Sequence, residues 1–292
     1  MKRRDFIQYS SIMSAGILAL PGCTVAVENK DKKNIGVQLY TVRDEMSKDA
    51  IGTLKSLASI GFKELESAGY RDGMYYGMKP AEFRKILDDH GLTMPSGHYL
   101  TGNQDPEIIG TLNNGWEQAV EDALAVGQKY MVLAYLFDFE RERLDQYKEL
   151  ADIMNTKADI ARQAGIQFCY HNHDFEFQEL EGEIPMEVVL NETDKELVKM
   201  ELDLYWINKV DQDPVAFFSK YPKRTPLWHV KDMDNSADRK FTEVGNGVID
   251  FKTIFKHADK SGMKHFFVEQ DVCEKPPLES LSISHKYVSG II

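Results

Sequence analysis

The stretch Ile166-Gln167-Phe168-Cys169-Tyr170-His171-Asn172-His173 decides the fold. Its body is apolar and suits a buried strand, and its tip carries two imidazoles two residues apart. Before it, Leu144–Ala164 has apolar residues at helical spacing and stops at Gly165, a helix-end signal. The same succession of helix, glycine and short apolar run recurs along the chain. Strands are expected at Ile35–Tyr40, Phe62–Ser67, Thr93–His98, Tyr130–Tyr135, Ile166–His171, Leu197–Asp203, Pro226–Lys231 and His265–Glu269. Helices are expected at Asp49–Ser59, Pro80–His90, Trp116–Val126, Leu144–Ala164, Met186–Asn191, Asp213–Tyr221 and Phe251–Lys260, with a weak final one within Pro277–Ile292. The strand starts are ~33 residues apart, the size of a βα unit. Eight such units predict an α/β fold, a (β/α)8 TIM barrel. A doubly wound open sheet is the alternative, but it usually needs fewer strands, and no Gly-rich fingerprint follows the first strand.

In a TIM barrel the catalytic groups sit at the C-terminal ends of the strands. Here strand five ends in His171 and His173, and strand six in Glu201 and Asp203. Strand seven ends in His229 and Lys231, and strand eight in Glu269. Side chains alternate across a strand, so each pair shares a face, taken here as the barrel interior. Two imidazoles and two carboxylates converging there make a mixed nitrogen and oxygen site for Mn2+, Zn2+, Co2+ or Mg2+. A lone strand-end His is more often a hydrogen-bonded structural residue, and a lone Asp a cap. Coincidence at four consecutive strand ends outweighs those readings. The residues alone leave either His171 or His173 as the strand-five ligand. His90, His257 and His285 are read as surface residues.

The 292 residues carry a net charge of −12, with 42% hydrophobic and 28% charged residues. That is globular composition in one large domain. The acidic balance argues against a general nucleic-acid binder, which needs clustered Lys and Arg. Three cysteines make no disulfide framework, and Cys169 reads as an inert core residue. Residues 1–23 read as an export signal, with a basic start and a short apolar run. Arg3-Arg4-Asp5-Phe6-Ile7 resembles a twin-arginine motif, and Leu20-Pro21-Gly22-Cys23 a lipobox with Cys23 as the acylated residue. The expected location is therefore the periplasm, with Cys23 as a lipid anchor. Residues 24–33 are a polar tether, and 34–292 a single barrel domain. Removing the signal takes away three basic residues and one acidic residue, leaving −14.

The chain resembles the xylose isomerase-like TIM-barrel superfamily, the broad sugar phosphate isomerase/epimerase family. The resemblance runs over Asn34–Glu274. Its pieces are Gly36-Val37-Gln38-Leu39-Tyr40-Thr41-Val42-Arg43, Glu64-Leu65-Glu66, Tyr170-His171-Asn172-His173-Asp174-Phe175-Glu176-Phe177, Leu202-Asp203-Leu204-Tyr205-Trp206, His229-Val230-Lys231-Asp232 and Gly245-Asn246-Gly247-Val248-Ile249-Asp250. The resemblance implies a divalent metal held by His171, Asp203, His229 and Glu269, with His171 standing where many relatives have Glu. It implies His173 as catalytic base, by position with the His of dehydratase-type relatives.

The implied activity is that of a sugar isomerase or epimerase. A neutral imidazole takes a proton beside a metal-bound carbonyl or hydroxyl. Loss of a β-substituent instead gives a lyase or hydratase of a keto-sugar or 3-keto-glycoside. Glu201 and Lys231 are further candidates for the chemistry, Lys231 as an oxyanion or hydroxyl contact. Glu66, His98 and Glu176 are candidates for hydroxyl contacts, and Trp206 for a platform under a sugar face. Trp206 stands where sugar epimerases often carry a His, which leans toward the lyase side. The expected partner is a small-molecule sugar or keto-sugar, not nucleic acid. The related endonuclease of abasic DNA is disfavoured by the export signal and the acidic charge. A non-catalytic carbohydrate-binding lipoprotein is disfavoured by the converging ligands. A phosphorylated substrate is disfavoured by the lack of a Gly-rich loop with adjacent Lys or Arg, so Gly245 and Gly247 read as a tight turn before Asp250.

Overall fold

A computed structural model describes residues 33–292. The expected export signal, Cys23 and the tether up to residue 32 lie outside the described residues. Eight parallel strands close into a barrel. They are β1 (Gly36–Gln38), β2 (Glu64–Ser67), β3 (Thr93–Tyr99), β4 (Tyr130–Leu133), β5 (Gln167–His171), β6 (Val198–Asp203), β7 (Leu227–Val230) and β8 (His265–Val268). Each pairs with its chain neighbour, and β1 closes the ring on β8 through Gly36↔Phe267 and Val37↔Val268. After the strands come, in the same order, α1 (Ala50–Ile60), α2 (Pro80–Asp89), α3 (Trp116–Val126), α4 (Leu144–Gln163), α5 (Pro185–Glu192), α6 (Pro214–Lys220), α7 (Phe251–Phe255) and α8 (Pro277–Val288). The TIM barrel expected from the repeat is the observed fold. No helix among the described residues is long and apolar enough to cross a membrane.

Local chemistry explains the punctuation. Pro80, Pro185, Pro214 and Pro277 open helices where a missing N–H costs nothing. Gly127 ends α3 at φ +101°, its N–H returning to the carbonyls of Ala123 and Leu124. β2, β5 and β6 end where expected and β3 runs one residue further, while β1, β4, β7 and β8 stop one or two residues short, where the chain peels off the sheet. Tyr135, Lys231 and Glu269 therefore sit on the rim. The apolar runs pack outward against the helices, with Phe83, Trp116, Tyr147, Phe168 and Trp228 fully buried. Val132, Cys169, Leu227 and Phe267 face inward as an apolar plug, and burial pushes the Cys169 thiol well up.

Short elements escaped the periodicity. Antiparallel ribbons pair Tyr70–Arg71 with Met74–Tyr75 and Asp232–Met233 with Phe241–Thr242. The helix expected over Phe251–Lys260 breaks into α7 and a short turn at Ala258–Ser261, with His257 capping the latter. The weak last helix is complete in α8. Its signal was faint because Ser280 and Ser284 share the buried face with Leu281 and Val288. His285 is not a bare surface residue: its ring meets Phe62 edge-on at 4.9 Å.

Candidate metal and active site

Above the apolar plug the inward side chains become polar. Asp203 ends β6 and caps the short helix Leu204–Lys209. Its Oδ1 accepts the N–H groups of Tyr205 (2.8 Å) and Trp206 (3.0 Å), which leaves Oδ2 to the barrel interior. His171 Nδ1 lies 3.1 Å from the Ala134 carbonyl. A carbonyl only accepts, so Nδ1 carries the proton and Nε2 is free toward Asp203 Oδ2, 3.3 Å away. His229 is anchored in the opposite sense. Its Nε2 lies 2.6 Å from Glu66 Oε2, and its Nδ1 2.7 Å from Glu269 Oε2. One nitrogen of each ring is thus tied to the protein while the other faces a common point, the usual arrangement around a metal.

One ligand atom from each of His171, Asp203, His229 and Glu269 lies within 4.8 Å of all the others, and all four residues are buried. Glu269 Oε2 is 2.7 Å from both His229 Nδ1 and Lys231 Nζ, yet is aligned for a hydrogen bond with neither. Close, undirected contacts among buried donors suit a spherical cation. Two nitrogen and two oxygen donors fit a divalent ion.

Beneath His229 lies a second layer. Glu66 accepts from Gln38 (2.8 Å), Ser96 (2.5 Å) and His229, and Glu201 pairs with His98 at 2.7 Å. Glu66, His98, Glu201 and His229 also bring ligand atoms within 4.8 Å of one another. There, however, the two shortest contacts, His229 with Glu66 and His98 with Glu201, are aligned hydrogen bonds. Burial, with the Glu201 charge beside it, pushes Glu66 up to about 7. Against the same burial, His229 and His98 hold Glu201 well below the usual carboxylate range. Burial also opposes charge on His98, but Glu66 and Glu201 outweigh it and raise that imidazole.

The structure therefore sets Glu66 apart from the hydroxyl contact expected of it. Its carboxylate is fully buried, committed to protein groups, and orients His229. Glu201, expected in acid–base work, is likewise sunk under the site against His98. His98 lines the interior between these two carboxylates.

His173 stands outside the ligand group and nearer the mouth. Its ring stacks on Phe175 (5.4 Å) and meets Tyr135 edge-on (4.9 Å) and Trp206 at a tilt (5.3 Å). Burial, then the neighbouring His171 and Lys231, push it well below the usual range, so the imidazole is neutral. Its Nδ1 and the Trp206 Nε1 are buried without a hydrogen-bond partner.

Lys231 is the converse. Burial opposes its charge, but Asp203, Asp271 and Glu269 lie 2.9, 2.9 and 2.7 Å from Nζ and hold it protonated, well above the usual range. Glu176, expected to touch a hydroxyl, faces away from the interior. Its oxygens accept the Tyr170 hydroxyl (2.7 Å) and the His173 N–H (2.8 Å), and burial pushes it up to about 7. It shapes the turn that carries His173.

Three participants were missed in the sequence. Asp271 holds Lys231 and shares the parity of Glu269, which was the available signal. Gln38 and the Ala134 carbonyl gave none. The Gly245 and Gly247 N–H groups both donate to Asp232 Oδ2, at 2.9 and 3.1 Å, and so form a turn rather than an open phosphate cradle.

A model of the xylose isomerase-like TIM barrel matches residues 54–283. Inosose dehydratase of Lacticaseibacillus casei is 28% identical over 165 residues, 50% of this chain and 55% of that protein. The chain thus spans about half the length of the curated relatives it matches. Among solved structures, a sugar phosphate isomerase/epimerase from Parabacteroides distasonis ATCC 8503 superposes with a TM-score of 0.78 at 28% identity, over 92% of this chain and 98% of that one. The IolI protein with a bound zinc atom superposes with a TM-score of 0.67 over 89% of this chain and 98% of that one. At 13% identity this is a likeness of fold.

Proposed function

The chain belongs to the xylose isomerase-like TIM-barrel family, and on that premise we propose that it is a divalent-metal-dependent enzyme. Its substrate is a keto-sugar or related cyclic polyhydroxy ketone. It removes the proton beside the carbonyl, and elimination is the outcome.

The observation that carries this reading is the placement of His173 outside the ligand group, its Nδ1 unpartnered among Tyr135, Phe175 and Trp206, with Lys231 Nζ held by Asp203, Glu269 and Asp271. A divalent ion held by His171, Asp203, His229 and Glu269 would polarise the substrate oxygen and acidify the neighbouring C–H. His173 takes that proton. The C–H electron pair forms the new double bond as the β C–O bond breaks, and His173 returns its proton to the departing oxygen. Lys231 supplies fixed positive charge where oxygen becomes negative. Trp206, with its indole N–H unpartnered, forms a wall that offers one hydrogen bond. Epimerisation by two opposed bases needs a second base open to the substrate, and Glu201 is buried beneath His229. The inosose dehydratase relative supports the same outcome.

Isomerase or epimerase chemistry is the second reading, favoured by the Parabacteroides likeness over nearly the whole chain. Export to the periplasm with acylation at Cys23 is also part of the proposal and is supported by the sequence of residues 1–23. The test is to incubate Mn2+-loaded protein in D2O with a panel of keto-sugars and keto-glycosides. Loss of the β-oxygen with formation of an enone supports elimination. Deuterium at one carbon without loss of oxygen supports the second reading. Binding without either change overturns both and leaves a carbohydrate-binding protein.

A further inference from the structure

The loop after β4 carries an aromatic strip that the proposed chemistry does not use. Tyr135 meets His173 at 4.9 Å, Phe137 meets Tyr135 at 5.2 Å, and Phe139 lies parallel to Phe137 at 6.1 Å. The strip runs from the candidate base outward, and Phe139 ends it 48% exposed. Isolated exposed apolar side chains are ordinary; three rings in file from a reactive site are not.

The loop is also held in place. The buried Glu140 accepts the Phe137 N–H at 2.8 Å, the Thr101 hydroxyl and the Asn103 amide. Arg141 donates to the Leu136 carbonyl and lies 3.6 Å over Phe175, the ring stacked on His173. Of the three rings Phe139 alone also walls a cavity of about 190 Å³, whose polar lining includes Asn103, Asn113, Gln146 and Glu149. A flat apolar ring beside amides and a carboxylate complements a sugar ring, which presents C–H groups on its face and hydroxyls at its edge.

We propose that Tyr135, Phe137 and Phe139 form a subsite for a second ring, so that the substrate is a glycoside and not a free monosaccharide. This rests on the keto-sugar reading above and narrows it. The second ring is joined through the oxygen that departs, and it leaves as an alcohol carrying the proton that His173 took from carbon.

The probes are the α and β anomers of methyl and phenyl D-glucopyranoside, titrated into the Mn2+-loaded protein and followed by saturation-transfer NMR. Phenyl glucoside is expected to bind about three- to tenfold tighter than methyl glucoside of the same anomer, the range of one aromatic contact. Phe137→Ala and Phe139→Ala should each reduce that advantage and leave methyl glucoside unchanged, while Phe139→Tyr retains it. Equal affinity of the two glucosides overturns the subsite, as does equal weakening of both in the variants. Failure of all four probes to bind overturns the subsite, while the keto-sugar reading stands or falls separately on the D2O incubation with keto-sugars. Phe139 is exposed, so its variants are expected to fold, which a thermal melt checks.

Discussion

His229 meets Glu66 through one ring nitrogen and Glu269 through the other, so its orientation depends on a residue that never reaches the ligand group's centre. Replacing such a partner commonly costs about 10–100-fold in metal affinity. Glu66→Gln is expected to weaken Mn2+ binding in a chelator competition by about tenfold, with an unchanged melting profile in apoprotein. Undiminished affinity counts against the orienting role. The two strand-five imidazoles should separate cleanly. His171→Ala is expected to lose bound metal, measured by elemental analysis. His173→Ala is expected to keep its metal and lose activity by about 10²–10⁴-fold. The reverse pattern exchanges their roles.

At the scale of the element, β5 and the turn after it hang on Glu176. Its carboxyl titrates near 7 in the fold, chiefly through burial, against an ordinary value of 4.5. Protonation is therefore favoured by folding. The stability it contributes is complete below pH 4.5 and is lost as pH rises through 7, on the order of 3 kcal/mol. Glu176→Gln cannot ionise and is expected to escape that loss. Its melting temperature relative to the parent should rise by ~5 °C between pH 5 and pH 8. A pH-independent difference rejects the assignment.

Glu176 also shows what the sequence conveys and what it withholds. All eight strands were legible because each is a short apolar run, and Gly61, Gly91, Gly127, Gly165 and Gly262 mark the start of five of them. The ligand group was legible because a period of two tells which residues share a face. Depth along the barrel axis has no such period. Glu66, Glu201 and Glu176 read as reachable polar groups, and folding placed each behind another residue. The Tyr70–Tyr75 and Asp232–Thr242 ribbons were invisible because two-residue strands are too short to show alternation.

At the scale of the molecule, Asp203, Glu269 and Asp271 surround the Lys231 ammonium inside the barrel, and the further carboxylates Glu66 and Glu201 lie beneath them against His229 and His98. A divalent cation that binds only the folded chain stabilises it by about 2.7 kcal/mol at a concentration one hundred times its dissociation constant. Chelator-treated protein is therefore expected to melt several degrees higher on addition of Mn2+ or Zn2+, with no rise on addition of Na+ at equal ionic strength. An unchanged melt rejects the metal.

The closure of the ring orders events in time. Gly36 finds its partner Phe267 only near the far end of the chain, and the ligand group draws on β5, β6, β7 and β8. A ribosome emitting the chain from its N-terminus must deliver Glu269 before the four ligands can meet. Long-range pairing of this kind is also slow to form. Partly synthesised chains therefore carry the earlier strands but not the candidate ligand group, and a cation held by all four residues would enter only after synthesis has passed β8.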